Sequence, residues 1–193
     1  TSFQENRIAL TPEAVAVLVN NGNSVVVEHG AGEGSFYHDA DYSEAGAHIA
    51  YQREEVFKAT TIIKSAPISE EDIPSLQPNQ FVISPIHFPL LKAEMLEQLL
   101  QKKIIAIAFD SIKDDSGTYP IVRSMSEIAG ASAILNAAKY LSNVHQGKGI
   151  LLGGITGIPP AKVLILGAGM VGEHAARAAI GLGAVVKVFD NSI

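Results

Sequence analysis

The chain has 193 residues, 47% of them apolar and 18% charged, enough for one large domain or two small ones around a sizeable core. A formal net charge of −6, with its fourteen Lys and Arg scattered, argues against a nucleic-acid partner, which requires clustered basic residues, and no basic amphipathic stretch points to a membrane surface. The absence of cysteine removes disulfides, thiolate catalysis and Cys-ligated zinc; no run approaches the ~18 apolar residues of a membrane span, and TSFQENRIAL lacks the zones of a signal peptide.

Apolar runs alternate with helical patterns, which predicts an α/β fold with a mainly parallel sheet. Thr11-Pro12-Glu13 opens a helix, with Thr as N-cap, Pro at the first helical position and an acid in the first turn. That helix closes at Asn21-Gly22, and Val25-Val26-Val27 follows as a β-branched strand. Residues 29–42, HGAGEGSFYHDADY, read as a Gly-rich connecting loop whose glycines could bring backbone near a ligand. Thr61–Lys64 is the next short strand, followed by a polar stretch with prolines at 67 and 74. Phe81-Val82-Ile83 is another, ending at Pro85. Leu91, Met95, Leu96, Leu99 and Leu100 recur at helical spacing, Ile104–Phe109 reads as a buried strand, and Asp114-Asp115-Ser116-Gly117 as a turn. Ser126–Leu141 is a helical stretch rich in small residues, expected as a spine between two domains.

Gly167, Gly169 and Gly172 form G-x-G-x-x-G between a strand, Val163–Leu166, and a helix through Ala175, Ala176 and Ala179, with a second strand at Val185–Phe189. A glycine triplet alone is weak; this context is the start of a Rossmann-type β–α–β. Gly167 permits the tight turn, Gly169 lets backbone approach a pyrophosphate at the helix N-terminus, and Gly172 lets helix and strands pack closely. Asp190 closes the second strand, where a carboxylate accepts from both ribose hydroxyls and repels a 2′-phosphate, favouring NAD over NADP. A sheet of this kind needs further strands, so the chain is expected to be part of a longer protein.

Three side chains in the N-terminal half could act on a substrate, and each also has a plain structural reading. Arg7, one of four arginines, has the fork that grips a carboxylate, although from the residues alone a solvated arginine is the favoured reading. His87 lies just past a strand end, where ligands of doubly wound sheets bind and where an imidazole can move protons near neutrality. Lys64 also ends a strand, where an ammonium could hold a carboxylate or carbonyl. The remaining histidines show no metal-ligand spacing, and no metal is expected.

ENRIALTPEAV (5–15), EHGAGEGS (28–35), RSMSEIAG (123–130), LLGGITGIPPAKVLILGAGMVG (151–172) and LGAVVKVFD (182–190) follow one another at natural spacing. On these segments the chain resembles the alanine dehydrogenase and pyridine-nucleotide transhydrogenase α-subunit family over nearly its whole length, and is nearer the dehydrogenase branch. The resemblance implies a doubly wound, flavodoxin-like substrate domain of the formate/glycerate dehydrogenase catalytic-domain type over 1–125. It further implies a bridging helix over 126–147 and the start of a Rossmann NAD-binding domain over 148–193, stopping after its second strand. It implies that Arg7 holds the substrate carboxylate, that His87 acts near the carbonyl or imine carbon, and that Ser126 lies near the nicotinamide. The reaction implied is NAD-dependent oxidative deamination of a small amino acid, L-alanine to pyruvate and ammonia, by a cytoplasmic homo-oligomer with no nucleic-acid or membrane partner. Two rivals remain: a transhydrogenase-like NAD(H)-binding component and a non-catalytic NAD-binding protein of the same fold. Two departures stand out. Where the dehydrogenases read LKVKEP this chain reads IIKSAP, so Lys64 matches the first lysine and the second, which contacts substrate, is replaced by Ser65 or Ala66. The family's acidic partner in the Rossmann domain falls past Ile193.

Overall fold

The computed structural model describes residues 5–86 and 91–191. It is an α/β chain of parallel sheets that divides into two compact units, Thr1–Ser111 and Ile112–Ile193.

The first unit begins with α1 (Pro12–Asn20), capped as its sequence predicts: the Thr11 side chain accepts from the Ala14 N–H, Pro12 takes the first turn, and Gly22 ends the helix at φ +84°. Next come β1 (Val26–Glu28), α2 (Asp39–Glu44), β2 (His48–Ala50) and α3 (Arg53–Val56). They are followed by β3 (Thr61–Ile63), β4 (Phe81–Ser84), α4 (Ala93–Gln101) and β5 (Ile105–Ala108). β1 pairs in parallel with β2, and β3, β4 and β5 form a second parallel sheet in that order. Val15, Tyr42 and Ala47 are buried beside the first sheet; Phe57, Ile62, Ile73, Leu76, Val82, Met95 and Leu99 form the core of the second. At about 1.5–3 kcal/mol for each fully buried large apolar side chain, this second cluster is the larger stabilising element of the unit.

Two expectations need correction. The stretch 29–42 is not a plain loop: it carries a 3₁₀ turn at Glu33–Ser35 and the first residues of α2. Asp39 folds it back on itself, its carboxylate accepting from the Gly30 N–H at 2.9 Å and from the His29 ring. β5 is shorter than Ile104–Phe109 and is only partly covered, Ile105 being 46% exposed, because among the described residues it pairs with β4 alone and forms the sheet edge. Outside the predicted elements, β2 and α3 span only three and four residues, too short for a periodic signal to develop.

In the second unit α5 (Pro120–Leu141) begins six residues before Ser126, because Pro120, lacking an N–H, suits a first helical position. β6 (Lys162–Leu166), α6 (Met170–Gly181) and β7 (Val185–Phe189) follow, with β6 and β7 parallel from Lys162 opposite Val185 to Leu166 opposite Phe189. The small residues of α5 have a local cause. A Cβ on Gly130 would lie 2.3 Å from the Val171 carbonyl oxygen, so glycine is what lets α5 lie against α6. Ile134, Leu152, Ala175 and Ala179 are buried at the core of this unit.

Candidate functional site

The sequence-predicted residues fall into two groups, one in each unit. Arg7 and Lys64 line a groove of about 1390 Å³ in the first unit. Its walls include the successive residues Ser24–Glu28 along β1 and Lys58–Ser65 along β3. Successive residues of a strand point to opposite faces, so the groove runs along the two strand edges.

Arg7 is held at the carboxyl end of β3 by its own backbone: the Ser65 hydroxyl donates to the Arg7 carbonyl at 2.9 Å. On the other side the Ser35 hydroxyl donates to the Asn6 carbonyl, and a Cβ on Gly34 would lie 3.0 Å from the Asn6 Cα. The folded Gly-rich stretch thus serves as a buttress for the Arg7 segment. The guanidinium meets Glu5 through Nε at 2.7 Å and Nη2 at 2.5 Å, a bidentate grip that holds the Glu5 carboxyl below the usual carboxylate range and raises Arg7 further. That is the same fork a substrate carboxylate would require.

Lys64 reaches Asp72, its Nζ 2.5 Å from Oδ2. Asp72 is 1% exposed and also accepts from the Ser69 N–H at 2.7 Å, from the Ser69 hydroxyl at 3.0 Å and from Arg53 Nη2. Burial opposes its ionisation, but the Lys64 and Ser69 donors outweigh burial, so the carboxyl sits below its ordinary value. Arg53 stacks over the Phe57 ring at 5.5 Å. Neither Arg53 nor Asp72 was singled out from sequence as a site residue. The departure from LKVKEP has a direct structural counterpart: Ala66 is buried and the Ser65 hydroxyl is spent on the Arg7 carbonyl, so of residues 64–66 only Lys64 brings a cation to the groove. His87 lies outside the described residues.

In the second unit Gly167, Gly169, Gly172 and Asp190 come together at the turn from β6 into α6. Gly167 adopts φ +104°, a conformation that disfavours any side chain. A Cβ on Gly172 would stand 1.9 Å from the Gly167 carbonyl oxygen. Gly169 is different: its φ of −64° is open to any residue, and a Cβ there meets no atom within 4 Å. Folding does not require glycine at 169, whereas a ligand lying against the backbone would. Gly169 is also the N-cap of α6 and offers no side chain to the first N–H groups of that helix, which leaves them directed at the same space. The residues present therefore fit a dinucleotide pyrophosphate. Asp190 accepts from the Ala168 N–H, fixing its carboxylate beside the turn. Ser126 is half-buried on α5, one residue from Glu127, whose carboxylate lies 3.8 Å from the His174 ring of α6. Among the described residues no helix is long and apolar enough to cross a membrane.

These features define an α/β protein with a groove lined by charged side chains of both signs in one unit and a dinucleotide-type glycine turn in the other. The family model described as alanine dehydrogenase/PNT, N-terminal domain, matches residues 1–129, and the corresponding C-terminal domain matches 133–193; the chain belongs to this family. It is 38% identical over 187 residues to alanine dehydrogenase 2 of Staphylococcus aureus (strain USA300), covering 96% of this chain and 50% of that protein. A solved L-alanine dehydrogenase superposes over 98% of this chain and 52% of its own, with a TM-score of 0.92 and 34% identity. A transhydrogenase from Sinorhizobium meliloti superposes over 100% of this chain and 55% of its own, with a TM-score of 0.85 and 27% identity. The chain spans about half the length of the curated relatives it matches.

Proposed function

We propose that the whole protein is an NAD-dependent dehydrogenase of small amino acids, converting L-alanine and water to pyruvate and ammonia. The observation that carries this reading is the meeting of Arg7 and Lys64 on one groove, tied together by the Ser65–Arg7 hydrogen bond. Two cations at the carboxyl end of a parallel strand suit a 2-amino or 2-oxo carboxylate. In this reading the first unit binds substrate and the second binds nucleotide.

Arg7 exchanges its Glu5 partner for the substrate carboxylate and so fixes the α-carbon. The bound nicotinamide supplies the hydride acceptor. As hydride leaves the α-carbon, the amino nitrogen loses a proton and becomes an imine. Water adds to the imine carbon, the C–N bond breaks and ammonia departs. His87 is assigned to take and return the protons of that water and nitrogen, and Lys64 to hold the carbonyl or carboxylate oxygen. Gly167, Gly169 and Gly172 shape the pyrophosphate seat, and Asp190 accepts from the ribose hydroxyls, which favours NAD over NADP. Ser126 is assigned to the nicotinamide end. A cytoplasmic homo-oligomer remains part of the reading and is checked by fractionation and by sizing the full-length protein.

The test is an alanine-dependent rise in NADH absorbance with the full-length protein. Arg7→Ala is expected to raise KM for pyruvate by about a hundredfold, in line with removal of a bidentate charged pair. His87→Ala is expected to lower kcat by about 10²–10⁴-fold. A protein that binds NAD yet turns over no 2-amino or 2-oxo acid contradicts the proposal. The position of the lysine favours one second reading. With Ser65 or Ala66 standing where the dehydrogenase pattern has its second lysine, a transhydrogenase-like NAD(H)-binding component follows if hydride passes only between nucleotides.

A further inference from the structure

Among the described residues Asp72 is the most deeply buried charged group of the first unit, and the reaction just proposed makes no use of it. Its two oxygens receive four donors: Arg53 on Oδ1, and Lys64, the Ser69 N–H and the Ser69 hydroxyl on Oδ2. A carboxylate satisfied this completely has one orientation. Lys64 is the opposite case, an ammonium on a flexible four-carbon stem, 26% exposed, whose position within the groove is free to vary unless something fixes it. Asp72 comes from the turn that begins at Ile73, eight residues along the chain from Lys64, and Arg53 comes from the start of α3. The hub therefore joins three separate segments at the groove wall. Within the hub two cations face one anion, while Glu70 and Glu71 also line the groove.

We propose that Asp72 is the positioning residue of the substrate site: it holds the Lys64 ammonium at the carboxyl end of β3, in place of the second lysine that this chain lacks. This rests on the dehydrogenase reading above. Burying an ion pair is a poor way to stabilise a fold, since apolar groups of the same volume often do as well. Fixing a lysine that would otherwise wander is a use that requires the charge.

The experiment is reductive amination by the full-length protein, comparing wild type with D72N, K64M and the K64M/D72N double variant, with KM for pyruvate, KM for NADH and kcat measured separately. Each single variant is expected to raise KM for pyruvate about tenfold or more, the effect of losing one hydrogen bond to a charged group, while KM for NADH stays unchanged. The double variant should be no worse than K64M alone, because Asp72 acts through Lys64. D72E keeps the charge and shifts it by one methylene; it serves where D72N does not fold, and should raise KM for pyruvate several-fold in the wild-type background and leave it unaltered in K64M. A thermal midpoint that falls in D72N or D72E with KM for pyruvate unchanged overturns the proposal, as does a double variant whose KM is the product of the two singles. If wild type turns over neither alanine nor pyruvate, the dehydrogenase reading itself fails and takes this one with it. If wild type is active and K64M is kinetically silent, only the positioning role fails.

Discussion

The glycine turn of the second unit and the groove of the first are built on opposite principles. At Gly167, Gly169 and Gly172 the chemistry is that of backbone with side chains removed, and the three glycines come from one stretch of six residues. At the groove it is that of charged side chains gathered from positions far apart in the chain, Arg53 and Lys64 around the buried Asp72 carboxylate and Arg7 on Glu5. At Gly172 the first kind of site is intolerant of added atoms; the second depends on charge state. Perturbations that separate sterics from charge should therefore affect the two units differently.

The largest expected effect is steric. Gly172→Ala would ordinarily favour α6 by roughly 1 kcal/mol in helix propensity. Here its Cβ would meet the Gly167 carbonyl oxygen at 1.9 Å, so the turn must open and the pyrophosphate seat with it. We expect NAD affinity of the full-length protein to fall by at least about a hundredfold, measured by calorimetry, on the scale of roughly 3 kcal/mol of overpacking. Retained NAD affinity in this variant would contradict the close approach of α6 to the turn.

The second effect is electrostatic and belongs to the groove alone. Because its donors hold the Asp72 carboxyl below the ordinary value, Asp72 binds its proton less readily folded than unfolded. Its contribution is thus fully present above the unfolded value of about 4 and is lost as pH falls through the lower folded one. D72N should cost about 3 kcal/mol near neutrality, the low end for a broken buried pair, because Lys64 and Arg53 are 26% and 41% exposed and regain water. The gap in thermal midpoint between wild type and D72N should close as the buffer is taken from pH 7 towards pH 2. A gap that stays constant over that range would place the role of Asp72 in its shape and not in its charge.

The same contrast explains what the sequence revealed. The glycine turn was legible because it is local: strand, glycines, helix and second strand follow one another, and each has a periodic or conformational signature. The Thr11-Pro12 helix start was legible for the same reason. Asp72 and Arg53 were not, since nothing in SEEDIP or YQREEV distinguishes a groove acid or arginine from a solvated one; only the fold brings them to Lys64. β2 and α3 were too short to show a period. The Gly-rich 29–42 stretch misled because its order comes from Asp39 reaching back to Gly30, a side-chain contact nine residues apart. The loss of the second lysine was visible in KSAP, but that Lys64 still lines the groove beside Arg7 could be seen only in three dimensions.

The smallest effect concerns Glu5, which presents to Arg7 the functional group that the substrate would present. The Arg7 donors keep the Glu5 carboxyl below the usual range, so at neutral pH Glu5 is ionised and competes at full strength for the guanidinium. In the proposed reaction substrate would displace it, and the cost of breaking a solvent-accessible pair of this kind is at most about 1 kcal/mol. Glu5→Gln keeps the volume and removes the charge. It should lower KM for pyruvate by a factor of about two to five with KM for NADH unmoved, the reverse of what Arg7→Ala does. The competition also has a sign in pH: it weakens in wild type as acid protonates Glu5, so the advantage of the variant should shrink below about pH 4. If Glu5→Gln instead raises KM, Glu5 orients Arg7 for substrate, and the groove resembles the Asp72 hub in a second respect, an acid holding a cation in place.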